Sequence, residues 1–147
     1  MTAPSMKVLG KLCGIAILVI LLTGCRFVTS TPNESLVRQA IDLQLSQTQQ
    51  ELTQKLKLDR SPTWKIEKLQ IDDRQLLSIE DLPTFRLSGT YDLRLQLSAG
   101  PIARHNQPFE VYLQLQPEGK TWRLARPLNT GTQPIWKTDL LKPPGYH

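Results

Sequence analysis

The first half of the chain alternates with one period and the second half with another. Val37, Ile41, Leu45, Thr48, Leu52 and Leu56 recur at three- and four-residue steps, and Leu36, Ala40 and Leu43 widen that stripe. Gln39, Gln44, Gln47, Gln49, Gln50, Gln54 and Lys55 fill the opposite side. Such spacing predicts an amphipathic helix. Thr31-Pro32-Asn33-Glu34 supplies a start: a capping hydroxyl, a proline at the first helical position and a glutamate three residues on. Asp59-Arg60-Ser61-Pro62 supplies the stop, because proline lacks an amide donor and disfavours the helical state before it. The helix is therefore expected from residue 32 to about Leu58. Its stripe suits a helix packed on the chain's own sheet better than a coiled-coil seam or a partner-binding face.

Beyond Pro62 the period falls to two. Trp64 and Ile66 share one phase and Leu69 and Ile71 the other, which predicts a bulge near Lys68. Residues 72–82 read as a connection with a short strand at Leu76 to Ile79. The longest alternation follows: Phe85, Leu87, Gly89, Tyr91, Leu93, Leu95 and Leu97 against Arg86, Ser88, Thr90, Asp92, Arg94, Gln96 and Ser98. Gly89 marks a bend in the sheet. Residues 99–108, with Arg104 and His105, read as a loop. Phe109, Val111, Leu113 and Leu115 then make a third strand, with Glu110, Tyr112, Gln114 and Gln116 opposite. Pro117-Glu118-Gly119-Lys120 is hairpin-turn chemistry. Thr121 to Arg126 returns as a fourth strand with Trp122 and Leu124 inward. Pro127, Pro134, Pro143 and Pro144 make the tail mostly irregular, with room for an edge strand from Ile135 to Leu141.

One long helix followed by four antiparallel strands predicts a two-layer α+β domain over residues 31–126, the apolar stripe facing an apolar sheet face. Residues 127–147 form a proline-rich tail. This element order resembles the cystatin-like or NTF2-like folds, in which a curved antiparallel sheet wraps a helix. The likeness rests on order alone and implies no functional residue.

Residues 1–24 have a different character. Lys7 and Lys11 precede an apolar core at residues 12–22, too short to span a bilayer, which needs roughly 20 apolar residues. A basic start, a short apolar core and small residues before a cut are the marks of an export signal. The run closes on Leu22-Thr23-Gly24-Cys25, which resembles the lipobox of bacterial lipoproteins. That resemblance implies recognition of Leu22, Thr23 and Gly24 by a signal peptidase, a diacylglyceryl group on the Cys25 thiol and cleavage before Cys25. Residues 25–30 are then a lipidated tether. Cys13 follows Leu12, not a small residue, so it does not fit the motif. An uncleaved anchor, or a cut elsewhere, is the alternative. Gly89-Thr90-Tyr91-Asp92-Leu93 and Glu118-Gly119-Lys120-Thr121-Trp122-Arg123-Leu124 also resemble a small cyanobacterial lipoprotein family, which implies no activity.

Net charge is +5, and loss of Lys7 and Lys11 leaves +3 on residues 25–147. That excess suits an anionic membrane surface and is too small and scattered for nucleic acid. With Cys25 lipidated, no free thiol remains, so packing alone must hold the domain and thiol chemistry is excluded. His105 and His147 are the only histidines. A zinc site needs three or four ligands, and Arg104 beside His105 opposes a cation. Asp72-Asp73 and Glu80-Asp81 are acids in expected loops, where turn formation explains them better than paired acid-base chemistry. The sequence thus offers no catalytic set, no metal and no cofactor. Arg86, Arg94, Arg123 and Arg126, with Tyr112 among them, are assigned to the outer sheet face. With Trp136 in the tail they form the candidate contact surface, for lipid headgroups or an acidic partner.

The expected function is a non-enzymatic binding or assembly module. Lipid would tether it to the periplasmic (outer) face of the plasma membrane or to the outer membrane, with a protein partner in the cell envelope. The alternatives are a ligand-binding or enzymatic NTF2-like domain with a pocket between helix and sheet, Tyr91 its one inward polar group, or a cystatin-like protease inhibitor.

Overall fold

The computed structural model describes residues 30–57, 62–128 and 131–142. The leader, Leu22, Thr23, Gly24, Cys25 and the expected helix stop at residues 58–61 lie outside them. The described chain is α+β: helix α1 (Glu34–Leu56) and strands β1 (Thr63–Ile79), β2 (Leu82–Leu97), β3 (Gly100–Leu115), β4 (Trp122–Leu128) and β5 (Ile135–Leu140). The strands form one antiparallel meander in the order β1-β2-β3-β4-β5. The sheet thus has five strands instead of four, and the edge strand that the tail had room for forms. Leu141 joins the core just after it, so the packed unit runs past Arg126.

The cap of α1 is Asn33, not Thr31. Asn33 Oδ1 accepts from the Leu36 amide at 2.8 Å, satisfying one of the orphan donors of the first turn. Glu34 thereby becomes the first helical residue and reaches forward to Arg38 at 3.0 Å, not back to a cap. At the other end Lys57 takes a left-handed φ of 50° and donates its amide to the Thr53 carbonyl, ending the helix there.

Two expected loops are strand. Residues 72–79 continue β1, and the hairpin turns at Glu80 and Asp81, whose φ values of 52° and 63° make a two-residue primed turn. Alternation is obscured here because β1 carries two bulges, between Glu67 and Gln70 and between Ile71 and Asp73. The first is the one the phase change near Lys68 predicts, and Lys68 itself has φ 47°. Residues 100–108 are likewise the first half of β3, paired with β2 from Leu97 to Thr90. They show no apolar period because residues 101–106 are exposed on both faces.

The core lies between α1 and one sheet face. Val37, Ala40 and Ile41 meet Ile66, Phe85, Leu87, Tyr91, Phe109, Val111, Leu113 and Leu124. Trp122 tilts against Phe85 at 6.1 Å and Tyr91 against Phe109 at 6.3 Å between ring centres. Polar bonds hold the helix on β1: Arg38 Nη1 donates to the Ile66 carbonyl, Trp64 Nε1 to Asp42 at 2.6 Å and Arg74 to the Pro32 carbonyl at 2.9 Å. Gly89 sits between the two bulges, where a Cβ would stand 1.9 Å from the Gln70 carbonyl oxygen. A close backbone approach, not a bend alone, demands glycine there.

Candidate binding cleft and outer face

Only the first half of the α1 stripe is used for packing. Val37, Ala40 and Ile41 are buried, but Leu52 is 50% exposed and Leu56 63%. The C-terminal half of α1 overhangs the sheet near the row Trp64, Leu95 and Ile102, which the β1–β2 and β2–β3 registers place side by side. Between them opens a cleft of about 180 Å³, lined by Leu45, Leu52, Pro62, Trp64, Leu93 and Leu95, with Thr48 and Gln49 at its margin. Gln49 Nε2 donates to the Pro62 carbonyl at 3.3 Å, so the margin's amide is already engaged. Among the described residues no titratable side chain lines this cleft, so what they offer is apolar contact.

Spacing alone missed the cleft, since apolar residues at core-like positions look the same whether or not the facing layer reaches them. One signal was available. The stripe carries apolar positions over the whole of α1, more length than the sheet opposite covers.

The candidate contact surface divides. Arg86 lies opposite Tyr112, and Tyr112 opposite Ala125, so Arg86, Tyr112 and Arg123 do share the outer face. Trp136 joins them edge-on to Tyr112, with ring centres 5.1 Å apart. It is half-buried instead of standing free in the tail. Arg126 does not belong: it is two residues from Leu124 and so projects from the helix-side face, paired with Asp139 at 3.2 Å. Arg94 is on the outer face but eight residues along β2 from Arg86, roughly 26 Å away.

Nor is that face a free cationic field. Arg86 donates to Glu110 at 2.7 Å, and Tyr112 donates to the other oxygen of the same carboxylate at 2.8 Å. These bonds hold Glu110 below the usual glutamate range, Arg86 first and Tyr112 second, while Glu110 raises Arg86. Burial, then Glu110, raises Tyr112. Arg94 meets Glu67 at 3.2 Å. Three of the four arginines are therefore neutralised in place, and the sequence reading did not foresee their carboxylates.

A second polar cluster forms where bulges meet. Asp92 accepts from the Asn106 amide at 3.0 Å and lies 2.9 Å from His105 Nδ1 and 3.5 Å from Lys68 Nζ. His105 is thus a strand residue instead of a loop residue, exposed to solvent and hydrogen-bonded to a carboxylate. Asn106 has φ 51°, and the β2–β3 register shifts here. The His105 hydrogen bond, then the Asn106 amide, lowers Asp92 from the ordinary 3.8 to about 2. Asp72-Asp73 and Glu80-Asp81 fall on a bulged edge and a turn, and among the described residues no three His, Cys, Asp or Glu gather as a metal site would require. No described helix is long and apolar enough to cross a membrane.

Compared with protein-family models, curated proteins and solved structures, the chain matches none.

Proposed function

We propose that this protein is a lipid-anchored envelope lipoprotein acting as a non-enzymatic binding or assembly module, and that the cleft under the C-terminal half of α1 is its binding element. The observation that carries the reading is the cleft's lining, which among the described residues is apolar and free of titratable groups. An apolar cavity of about 150 Å³ accommodates benzene. A cleft of about 180 Å³ accordingly suits one or two apolar side chains of a protein partner, not a whole lipid. The lipobox Leu22-Thr23-Gly24-Cys25 supports the anchor. A lipid there would attach near the start of α1, and Leu45 and Leu52, which line the cleft, stand about 17 to 27 Å along the helix from that end. The cleft would then face away from the tether, toward a partner in the envelope space.

The test is a native mass spectrum of protein extracted gently from membranes, beside photo-crosslinking from position 52. The expected result is a mature mass beginning at Cys25 with acyl chains, and a protein crosslink that Leu93→Ser abolishes. An unlipidated mass would remove the anchor, and a position-52 probe that meets only solvent would remove the binding element.

A second reading, a small apolar ligand in an NTF2-like pocket, is favoured by the position of the cleft between helix and sheet. A small-molecule adduct in the same spectrum would select it. The order of one helix followed by an antiparallel meander supports the finer likeness to cystatin-like and NTF2-like folds.

A further inference from the structure

The two outermost strands of the sheet are built differently. β1 carries two bulges and edge charges at Lys65, Lys68, Asp72 and Asp73, the devices that keep an edge from pairing. β5 carries neither a bulge nor a proline within Ile135–Leu140, and it leaves Ile135 58% and Leu140 52% exposed. We propose that β5 pairs antiparallel with β5 of a second copy of this chain, about a twofold axis at Thr138.

The backbone determines which residues can pair. The Leu141 amide donates inward, to the Trp122 carbonyl at 3.0 Å. Backbone groups alternate in direction along a strand, so those of Trp136, Thr138 and Leu140 point outward to the free edge. An axis at Thr138 sets Thr138 against its own copy and Trp136 against Leu140 of the second copy. Each of these pairs exchanges both N–H···O bonds, and opposed residues keep to one face.

Charge selects this register from its neighbours. With the axis at Thr138, each Lys137 lies opposite Asp139 of the second copy. Moving it to Lys137 or to Asp139 sets that charge against itself, which is destabilising. Within one copy Lys137 lies opposite Arg126, and it has no carboxylate within 4.0 Å among the described residues. The second copy's Asp139 supplies one. Apolar surface is matched too: the exposed Leu140 meets the half-buried Trp136 of the second copy. One six-residue strand buries less than the roughly 1,000 Å² of a stable interface. The dimer is therefore weak in dilute solution and favoured where copies are concentrated.

Disulfide crosslinking of the full-length chain in membranes tests this. Thr138→Cys places two Cα atoms about 5.5 Å apart, inside the range a disulfide spans. The unsubstituted chain, which has Cys13 and Cys25, sets the background. Thr138→Cys is expected to give a covalent dimer of twice the chain mass, and Lys120→Cys, in the far hairpin turn, to give background only. A Trp136→Cys chain co-expressed with a differently tagged Leu140→Cys chain is expected to yield the mixed dimer over either self-dimer. Adding Lys137→Asp to Thr138→Cys creates two Asp–Asp oppositions and lowers the yield roughly tenfold, with circular dichroism unchanged. A Thr138→Cys yield no higher than that of Lys120→Cys overturns the proposal. So does a product joining the chain to a different protein, or a yield indifferent to Lys137→Asp in a folded chain.

Discussion

At Gly89 the cost of a single methyl group can be predicted from geometry. A Cβ there would overlap the Gln70 carbonyl oxygen, which is backbone held in the β1–β2 ladder and not a side chain that can swing aside. Gly89→Ala is expected to destabilise by about 3 kcal/mol or more, read as a fall in the urea midpoint. Gly119, at φ 75° in an open turn, meets nothing within 4 Å. Gly119→Ala should cost only about 1 kcal/mol of left-handed strain. Asp92 makes the matching electrostatic prediction. Its folded value of about 2 lies below the ordinary 3.8, so ionised Asp92 favours the folded state. That contribution is whole above about pH 4 and is lost as pH falls through the folded value of about 2. Acid titration of stability should therefore show a drop across that window, and Asp92→Asn should flatten it. Both residues stood out in the sequence, Gly89 as a break in an apolar row and Asp92 as one outward polar position among several. Their reasons did not, because Gln70 and Asn106 reach them only through bulges in other strands.

For elements, the helix start separates the expected cap, Thr31, from the observed one, Asn33. Asn33→Ala should lower stability by about 1 kcal/mol, whereas Thr31→Ala, two residues before the cap, should leave the thermal midpoint within error. The arginines teach the same lesson on the sheet. Arg123 and Arg126 sit three residues apart, an odd step that period two places on opposite faces, and β4 follows that rule. The carboxylates that pair with Arg86, Arg94 and Arg126 (Glu110, Glu67 and Asp139) lie on other strands, so no local pattern could reveal that three of the four arginines are charge-compensated. Residues 100–108 were illegible for another reason. A strand exposed on both faces is held by its backbone ladder to β2, and side-chain alternation does not report a ladder.

Across the whole molecule, the two layers meet at one end of α1 and part at the other. Leu113 is fully buried against the first half of the helix, so Leu113→Ala should cost about 2–5 kcal/mol. Leu52→Gln removes an equally apolar residue from the parted end and should change stability by no more than about 0.5 kcal/mol, while abolishing a partner crosslink made from a photo-probe at position 48, at the cleft's margin. A large stability loss at position 52, measured by chemical denaturation, would make the cleft part of the core and not a binding surface.

Legible from the chain alone were the α+β class, the helix, the bulge near Lys68 and the inward rows of β2 and β3. Each of these is a matter of period, cap or local spacing, and a chain carries such signals whatever its neighbours do. Tertiary structure alone decided how far β1 and β3 extend, which arginines are neutralised, where the Asp92 cluster forms, and that half of the apolar stripe lines a cleft instead of a core. Those outcomes depend on which residues of distant strands come opposite one another and on where the facing layer ends. Bulges and registers set both, through hydrogen bonds between segments far apart in the chain.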